Sequence, residues 1–307
     1  MELVDLPPRK SGVEWPTAAL AALIYGLWLA LTYWHDALPV WLLFPLGAWT
    51  VAWHMSLQHE IIHGHPTRSR RVNTALGTWP LALWLPFEPY RRSHLQHHND
   101  ERLTDPLEDP ESFYWTPAQW EQLGALGRGI VRAQSTLLGR ITIGPAWAMI
   151  RFWWNEVNLL AAGDRRRLPM LARYLLELAV VLIWVLGVCG MDFWTYFLGF
   201  AYAGTALALV RSFAEHRAGK IVARRTAIVE RSWIFGPLFL FNNLHAAHHL
   251  RASLPWYRLP AWYRLNRAAI IERNGGLVYE TYFDVARRYL FRAHDAPLHP
   301  NVGKRRS

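Results

Sequence analysis

Nine of the fourteen histidines fall into three short clusters. They are His59-Glu60-Ile61-Ile62-His63-Gly64-His65, His94-Leu95-Gln96-His97-His98 and His245-Ala246-Ala247-His248-His249. On an α-helix, residues three and four apart share a face. His59 and His63 are four apart, and the other two clusters repeat an i, i+3, i+4 spacing, so each cluster aims its imidazoles at one place. Neutral imidazole ligates iron, zinc, copper and nickel. One such cluster fits a surface helix that happens to be histidine-rich; two with identical spacing and a related third do not. Eight histidines fit the pattern: His59, His63, His94, His97, His98, His245, His248 and His249. One zinc takes about four ligands, so eight point to a dinuclear site. It would be built from imidazole rather than from the carboxylates of di-iron bundles.

The first cluster also spells H-E-x-x-H, the zinc metalloprotease pattern in which Glu60 would be the general base. A protease needs one further ligand and leaves two H-x-x-H-H clusters unexplained. In the dinuclear reading Glu60 is instead a partner for an imidazole N–H. His65 lies two residues past His63, off the ligand face, and is placed in a supporting role.

The elements that must position these clusters show in the composition. Hydrophobic residues make up 52% and charged residues 18%, with 18 Trp, which excludes a disordered chain. The single cysteine, Cys189, excludes a disulfide scaffold. No repeat of solenoid period is present. Four stretches approach the ~20 apolar residues that a bilayer requires: 17–34, 38–57, 171–190 and 193–210. Their ionisable residues are few: His54 in the second, with Arg173 and Glu177 near the start of the third. Links of His35-Asp36-Ala37 and Met191-Asp192 make them two hairpins. The tail 1–16 holds two basic residues, Arg9 and Lys10; segment 58–168 holds thirteen, 211–307 seventeen, and the hairpin tips none. The positive-inside pattern puts both termini and both large segments in the cytoplasm. It also assigns the net charge of +10 to anionic lipid head groups rather than to nucleic acid. The first stretch lacks the flanks of a signal peptide. Two further apolar stretches, 76–87 with Pro80 and Pro86 and 233–241 with Gly236 and Pro237, are too broken to span and read as interfacial or buried segments before a histidine cluster. The expected fold is an all-α membrane protein, one domain over 1–307. Four transmembrane helices in two hairpins would return all three clusters to a cytoplasmic helical cap. Spans so bare of polar groups argue against a metal transporter.

In order, spacing and topology, HEIIH, HLQHH and HAAHH resemble the three histidine boxes of the membrane fatty acid desaturase and hydroxylase family (HxxxH or HxxxxH, then HxxHH, then HxxHH or QxxHH). The resemblance runs from His59 to His249 and includes the first hairpin. It implies a further ligand just past the last span, where Arg211-Ser212-Phe213-Ala214-Glu215-His216 offers His216, with Glu215 beside it. It gives Asn242 and Asn243 a place beside a ligand or a metal-bound water. The run Leu103 to Ser112 resembles the family's acidic stretch, so Asp105 and Asp109 would orient ligand imidazoles; a Pro-punctuated solvent loop is the plain alternative. Arg91 and Arg92 would bind a substrate head group or serve only as positive-inside arginines.

The activity implied is that of an O2-dependent oxidoreductase with two non-haem iron ions. It would remove hydrogen from an unactivated C–H bond of a fatty acyl chain. The alternatives are a hydroxylase or ketolase of a lipid or carotenoid, and a small-molecule desaturase, because HEIIHGHPT and LTDPLEDPES also resemble the rhizobitoxine-type bacterial branch. One cysteine cannot hold an iron–sulfur cluster, no G-x-G-x-x-G is present, and no cytochrome b5-like segment is visible. A separate ferredoxin or cytochrome b5-type donor is therefore expected, and a basic cytoplasmic face would suit an acidic one. The expected location is a bacterial inner membrane.

Overall fold

The computed structural model describes residues 3–7 and 12–301; Arg9, Lys10 and the basic triplet at 304–306 lie outside the described residues. The chain is mostly helical. Four helices are long and apolar enough to cross a membrane: α1 (Trp15–Tyr33), α2 (Val40–Ile62), α3 (Arg165–Val188) and α4 (Phe193–Glu215). Hydropathy alone ends the second and fourth stretches earlier, at 57 and 210. Both helices continue because hydrogen bonding along a helix does not stop where polarity begins. In this way α2 carries His59 in its last turn with His63 as its C-terminal cap residue, and α4 ends one residue before His216. The chain packs as two compact units. One comprises the described residues of 12–91 together with 144–208; the other comprises those of 1–11, 92–143 and 209–307.

The first unit holds α1, α2, and α3 with the first part of α4. Its helices come close where side chains are smallest, as membrane packing favours. A Cβ on Gly199 would lie 2.5 Å from the Phe44 ring, one on Gly47 2.7 Å from the Phe200 ring, and one on Gly204 2.6 Å from Val51 Cβ. Several polar groups inside this apolar unit are paired, as burial demands. Trp28 Nε1 donates to Tyr196 Oη at 2.9 Å and Tyr196 Oη donates to the Leu81 carbonyl at 2.8 Å. Trp84 Nε1 donates to Thr205 at 3.0 Å and Trp184 Nε1 to Thr32 at 2.9 Å. The proline-broken stretch 76–87 is buried around Leu81–Leu83. Its irregular backbone is tolerated because tyrosines from neighbouring helices, Tyr174 and Tyr196, take its carbonyls.

The second unit is built on shorter helices. Its core gathers Ile228, Leu244, Ala247, Leu259, Trp262 and Ile270. A two-residue strand, β1 (Ile228–Val229), pairs in parallel with β2 (Val278–Tyr279). The stretch 233–241 contains only the short helix Phe235–Leu238. Near the C-terminus, Trp115 bridges in parallel to Leu298.

Candidate metal centre

Three elements of the second unit supply its histidines. Helix Phe87–His97 presents His94 and His97, with His98 one residue past its end. Helix His245–Leu250 presents His245, His248 and His249. His216 follows α4 directly and is fixed by an antiparallel bridge to Thr226. The i, i+3, i+4 spacing acts as helical geometry requires, but it splits each box between two groups. His97, His216, His245 and His249 bring one ring nitrogen each within 4.8 Å of one another. Their Nε2 atoms meet at 3.0 Å (His97–His216), 2.9 Å (His216–His245) and 3.1 Å (His245–His249). His94, His98 and His248 form the other group, with Nε2 contacts of 3.1 and 3.2 Å. In the first unit, His59 and His63 lie side by side, with ring centroids 5.0 Å apart and planes crossing at 64°.

Outward hydrogen bonds decide what the inward nitrogens are. His97 Nδ1 lies 3.0 Å from Asp109 Oδ1, and His94 Nδ1 lies 3.2 Å from Glu111 Oε1. His245 Nδ1 lies 3.0 Å from Asn242 Oδ1 and 3.2 Å from Glu215 Oε1. These partners accept, so each Nδ1 carries a proton and each Nε2 is the nitrogen turned inward. This is the outward anchoring typical of metal-bound histidine. A tetrahedral ion with metal–nitrogen bonds of about 2.0–2.1 Å would set its ligand nitrogens roughly 3.3–3.4 Å apart. The three contacts of 2.9–3.1 Å are slightly shorter than that, so at these pairs an ion would need only a small spreading of the rings. The donor set fits a borderline transition metal such as iron or zinc.

The electrostatics favour a cation. Burial pushes the imidazoles of His216 and His245 well below their ordinary range and also lowers His94, leaving them neutral and able to ligate. Burial would lower His97 too, but Glu111, Asp109 and Glu215 outweigh it and hold this imidazole up at about 9. Burial would raise Glu111, yet His94, His97 and Arg211 hold it down at about 2. An ion entering the four-histidine group therefore displaces a proton held by surrounding carboxylates.

The remaining candidates are placed as follows. Asp109 is buried, and besides His97 it accepts from the backbone amides of Thr104 at 2.8 Å and Glu111 at 2.9 Å. Asp105 caps its own loop by accepting from Leu107 N at 2.8 Å. Glu215 accepts from Arg211 Nε at 3.0 Å and from Asn242 Nδ2 at 3.3 Å. Asn243 clamps β1, donating from its side chain to the Val229 carbonyl at 2.6 Å. His65 lies 2.7 Å from Glu14 Oε1 and 3.7 Å from Glu60 Oε1, so it ties the start of α1 to the end of α2. Arg91 pairs twice with Glu88, at 2.7 and 2.9 Å, and Arg92 is exposed. Sequence reasoning missed Glu111 and Arg211. Glu111 sits two residues past Asp109 in the same acidic run. Arg211 is four residues before Glu215, a spacing that places both on one helix face.

Residues 36–282 match the family model described as fatty acid desaturase. Two curated proteins are similar to the chain. The omega-6 fatty acid desaturase, chloroplastic, of Brassica napus is 26% identical over 271 residues, covering 80% of this chain and 58% of that protein. The protein of the same name from Arabidopsis thaliana is 25% identical over 245 residues, covering 72% and 52%. The chain spans about half the length of these relatives.

Proposed function

The chain belongs to the fatty acid desaturase family and is by class an oxidoreductase; on that premise we propose that it introduces a double bond into a fatty acyl chain, using O2 and electrons from a separate protein. The observation that carries the reading is the convergence of imidazole Nε2 atoms whose Nδ1 protons are committed outward to Asp109, Glu111 and Asn242. Two ions are proposed, both iron. His97, His216, His245 and His249 hold one. His94, His98 and His248 hold the other; His59 and His63 of the first box are the remaining ligands that the family pattern implies. When bound, the irons supply the O2-dependent oxidation that takes two hydrogens from adjacent unactivated carbons.

The chain's own residues do the rest. Asp109 and Glu111 fix the tautomers of His97 and His94, while Asn242, with Glu215 and Arg211 behind it, fixes His245. The four apolar helices supply the dry environment an acyl chain needs. Two helical hairpins with the basic segments on the cytoplasmic face of a bacterial inner membrane account for the charge distribution. A ferredoxin or cytochrome b5-type donor docks on that face, and the two compact units act as one catalytic domain. Acyl desaturation is favoured over hydroxylation, over a small-molecule substrate and over H-E-x-x-H proteolysis by the desaturase activity that the relatives are named for and by the two H-x-x-H-H groups.

The test is the acyl profile of a host expressing the wild-type chain or His245→Ala together with a donor. A new unsaturated acyl species that needs both O2 and His245 is expected. A hydroxylated lipid, or an unchanged lipid pool with a modified soluble metabolite, would overturn the assignment.

A further inference from the structure

The family match ends at residue 282, yet residues 294–301 are wired into both loops that orient the four-histidine group. One connection runs to the acidic loop. The backbone pairs Trp115 N with the Pro297 carbonyl at 2.9 Å and His299 N with the Trp115 carbonyl at 3.1 Å. His299 Nδ1 accepts from Asn301 N at 3.3 Å. Its Nε2 therefore carries the proton and donates to Thr104 Oγ1 at 3.2 Å. Thr104 is a β-branched residue held at φ 65°, a conformation such residues rarely adopt and one that persists only where the surroundings enforce it. In that conformation its amide meets Asp109 Oδ2 at 2.8 Å, and its carbonyl accepts from Ser112 Oγ at 2.9 Å. Asp109 in turn orients His97.

The second connection runs to the segment after His216. Tyr114 Oη donates to Asp295 Oδ2 at 2.8 Å and accepts from Ala218 N at 2.8 Å. Asn301 Nδ2 donates to the Gly219 carbonyl at 2.9 Å. One short strap thus fixes the outward partner of His97 and the backbone two residues beyond His216. These are two of the four nitrogens proposed for one ion.

We propose that residues 294–301 form a positioning strap for the four-histidine ion, with His299 and Tyr114 as its positioning residues. The inference rests on the reading of the histidine groups as a metal site. Neither residue touches an ion; each acts through a loop. Loosening the strap lets the Asp109 loop and the 216–219 segment drift; losing a ligand's own hydrogen-bond partner costs about 10–100-fold in metal affinity, and a loosened loop is expected at the lower end of that range.

The experiment measures chelator-driven loss of iron from the detergent-solubilised full chain, with the melting temperature of the metal-free protein measured alongside. The variants are His299→Ala, His299→Gln and Tyr114→Phe. Expected is a loss about tenfold faster for one of two irons in His299→Ala and Tyr114→Phe. The metal-free melting temperature should fall only by what one lost buried hydrogen bond costs, and His299→Gln should lose iron at the wild-type rate because its amide can still reach Thr104. Wild-type loss rates in both disrupting variants would overturn the strap, as would an equal acceleration of both irons, the mark of a general loss of stability. A wild-type chain that retains no metal would overturn the metal-site reading itself.

Discussion

Replacing Asp109 by Asn removes one charge, keeps the shape, and leaves one acceptor oxygen where two were used. Asp109 Oδ2 accepts from Thr104 N at 2.8 Å, and Oδ1 accepts from Glu111 N at 2.9 Å and from His97 Nδ1 at 3.0 Å. If the Asn oxygen takes the Thr104 side, its NH2 faces the Glu111 amide and crowds His97 Nδ1, which keeps only the 3.1 Å contact to that oxygen. If it turns the other way, the Thr104 amide is orphaned. Either arrangement leaves a buried donor unpaired, at a cost of about 1–3 kcal/mol. His97 can escape by switching tautomer, but then it turns an N–H inward and ceases to be a ligand. Loss of an outward partner of this kind costs about 10–100-fold in metal affinity, or ~1.4–2.8 kcal/mol. Competition between the purified protein and a chelator for Fe(II) measures it directly. Asp109→Asn should weaken one iron by that factor. Asp105→Asn, whose carboxylate bonds its own loop, should stay within about threefold. Asp109→Asn binding both ions as tightly as wild type would refute the tautomer argument.

Buried His294, held by Tyr279 Oη at 2.8 Å, is lowered by burial from 6.5 to about 4, with Asp295 raising it and Arg217 and Arg140 lowering it. Above pH 6.5 it is neutral whether folded or unfolded. As pH falls from 6.5 towards 4 only the unfolded chain takes up the proton, so stability is lost over that window, up to roughly 3 kcal/mol. Melting curves should fall more steeply with acid in the wild type than in His294→Gln. Gly204→Ala would place a methyl 2.6 Å from Val51 Cβ, whereas Gly26 has nothing within 4 Å. The first should cost about 1–3 kcal/mol of overpacking and lower the melting temperature in detergent; Gly26→Ala should not.

The four apolar helices are legible because a run of some twenty residues without charge has few other uses. The box histidines are legible because helical spacing is local. Their division into two groups is not, because which of His97 or His98 meets His245 depends on how helices 150 residues apart in sequence cross. The anchors show the same limit. Asp109 is visible as an acid near a box, but Glu111 rather than Asp105 reaches His94. Only the fold of the loop, fixed by the positive φ at Thr104, makes that choice. Arg211 behind Glu215 follows helical spacing and could have been found. The link from His299 to Thr104 spans nearly two hundred residues and has no local signature. The extension of α2 through His59 is hidden from hydropathy because the last turn is polar on the face that carries the chemistry.

The central claim is that two irons are held by histidine alone. Metal analysis of the chain purified in detergent after iron-supplemented expression tests it, in wild type, His248→Ala and His249→Ala. The account predicts about two irons per chain in the wild type and the loss of one from each variant, a different ion in each case. A single zinc per chain, retained in both variants, would contradict it.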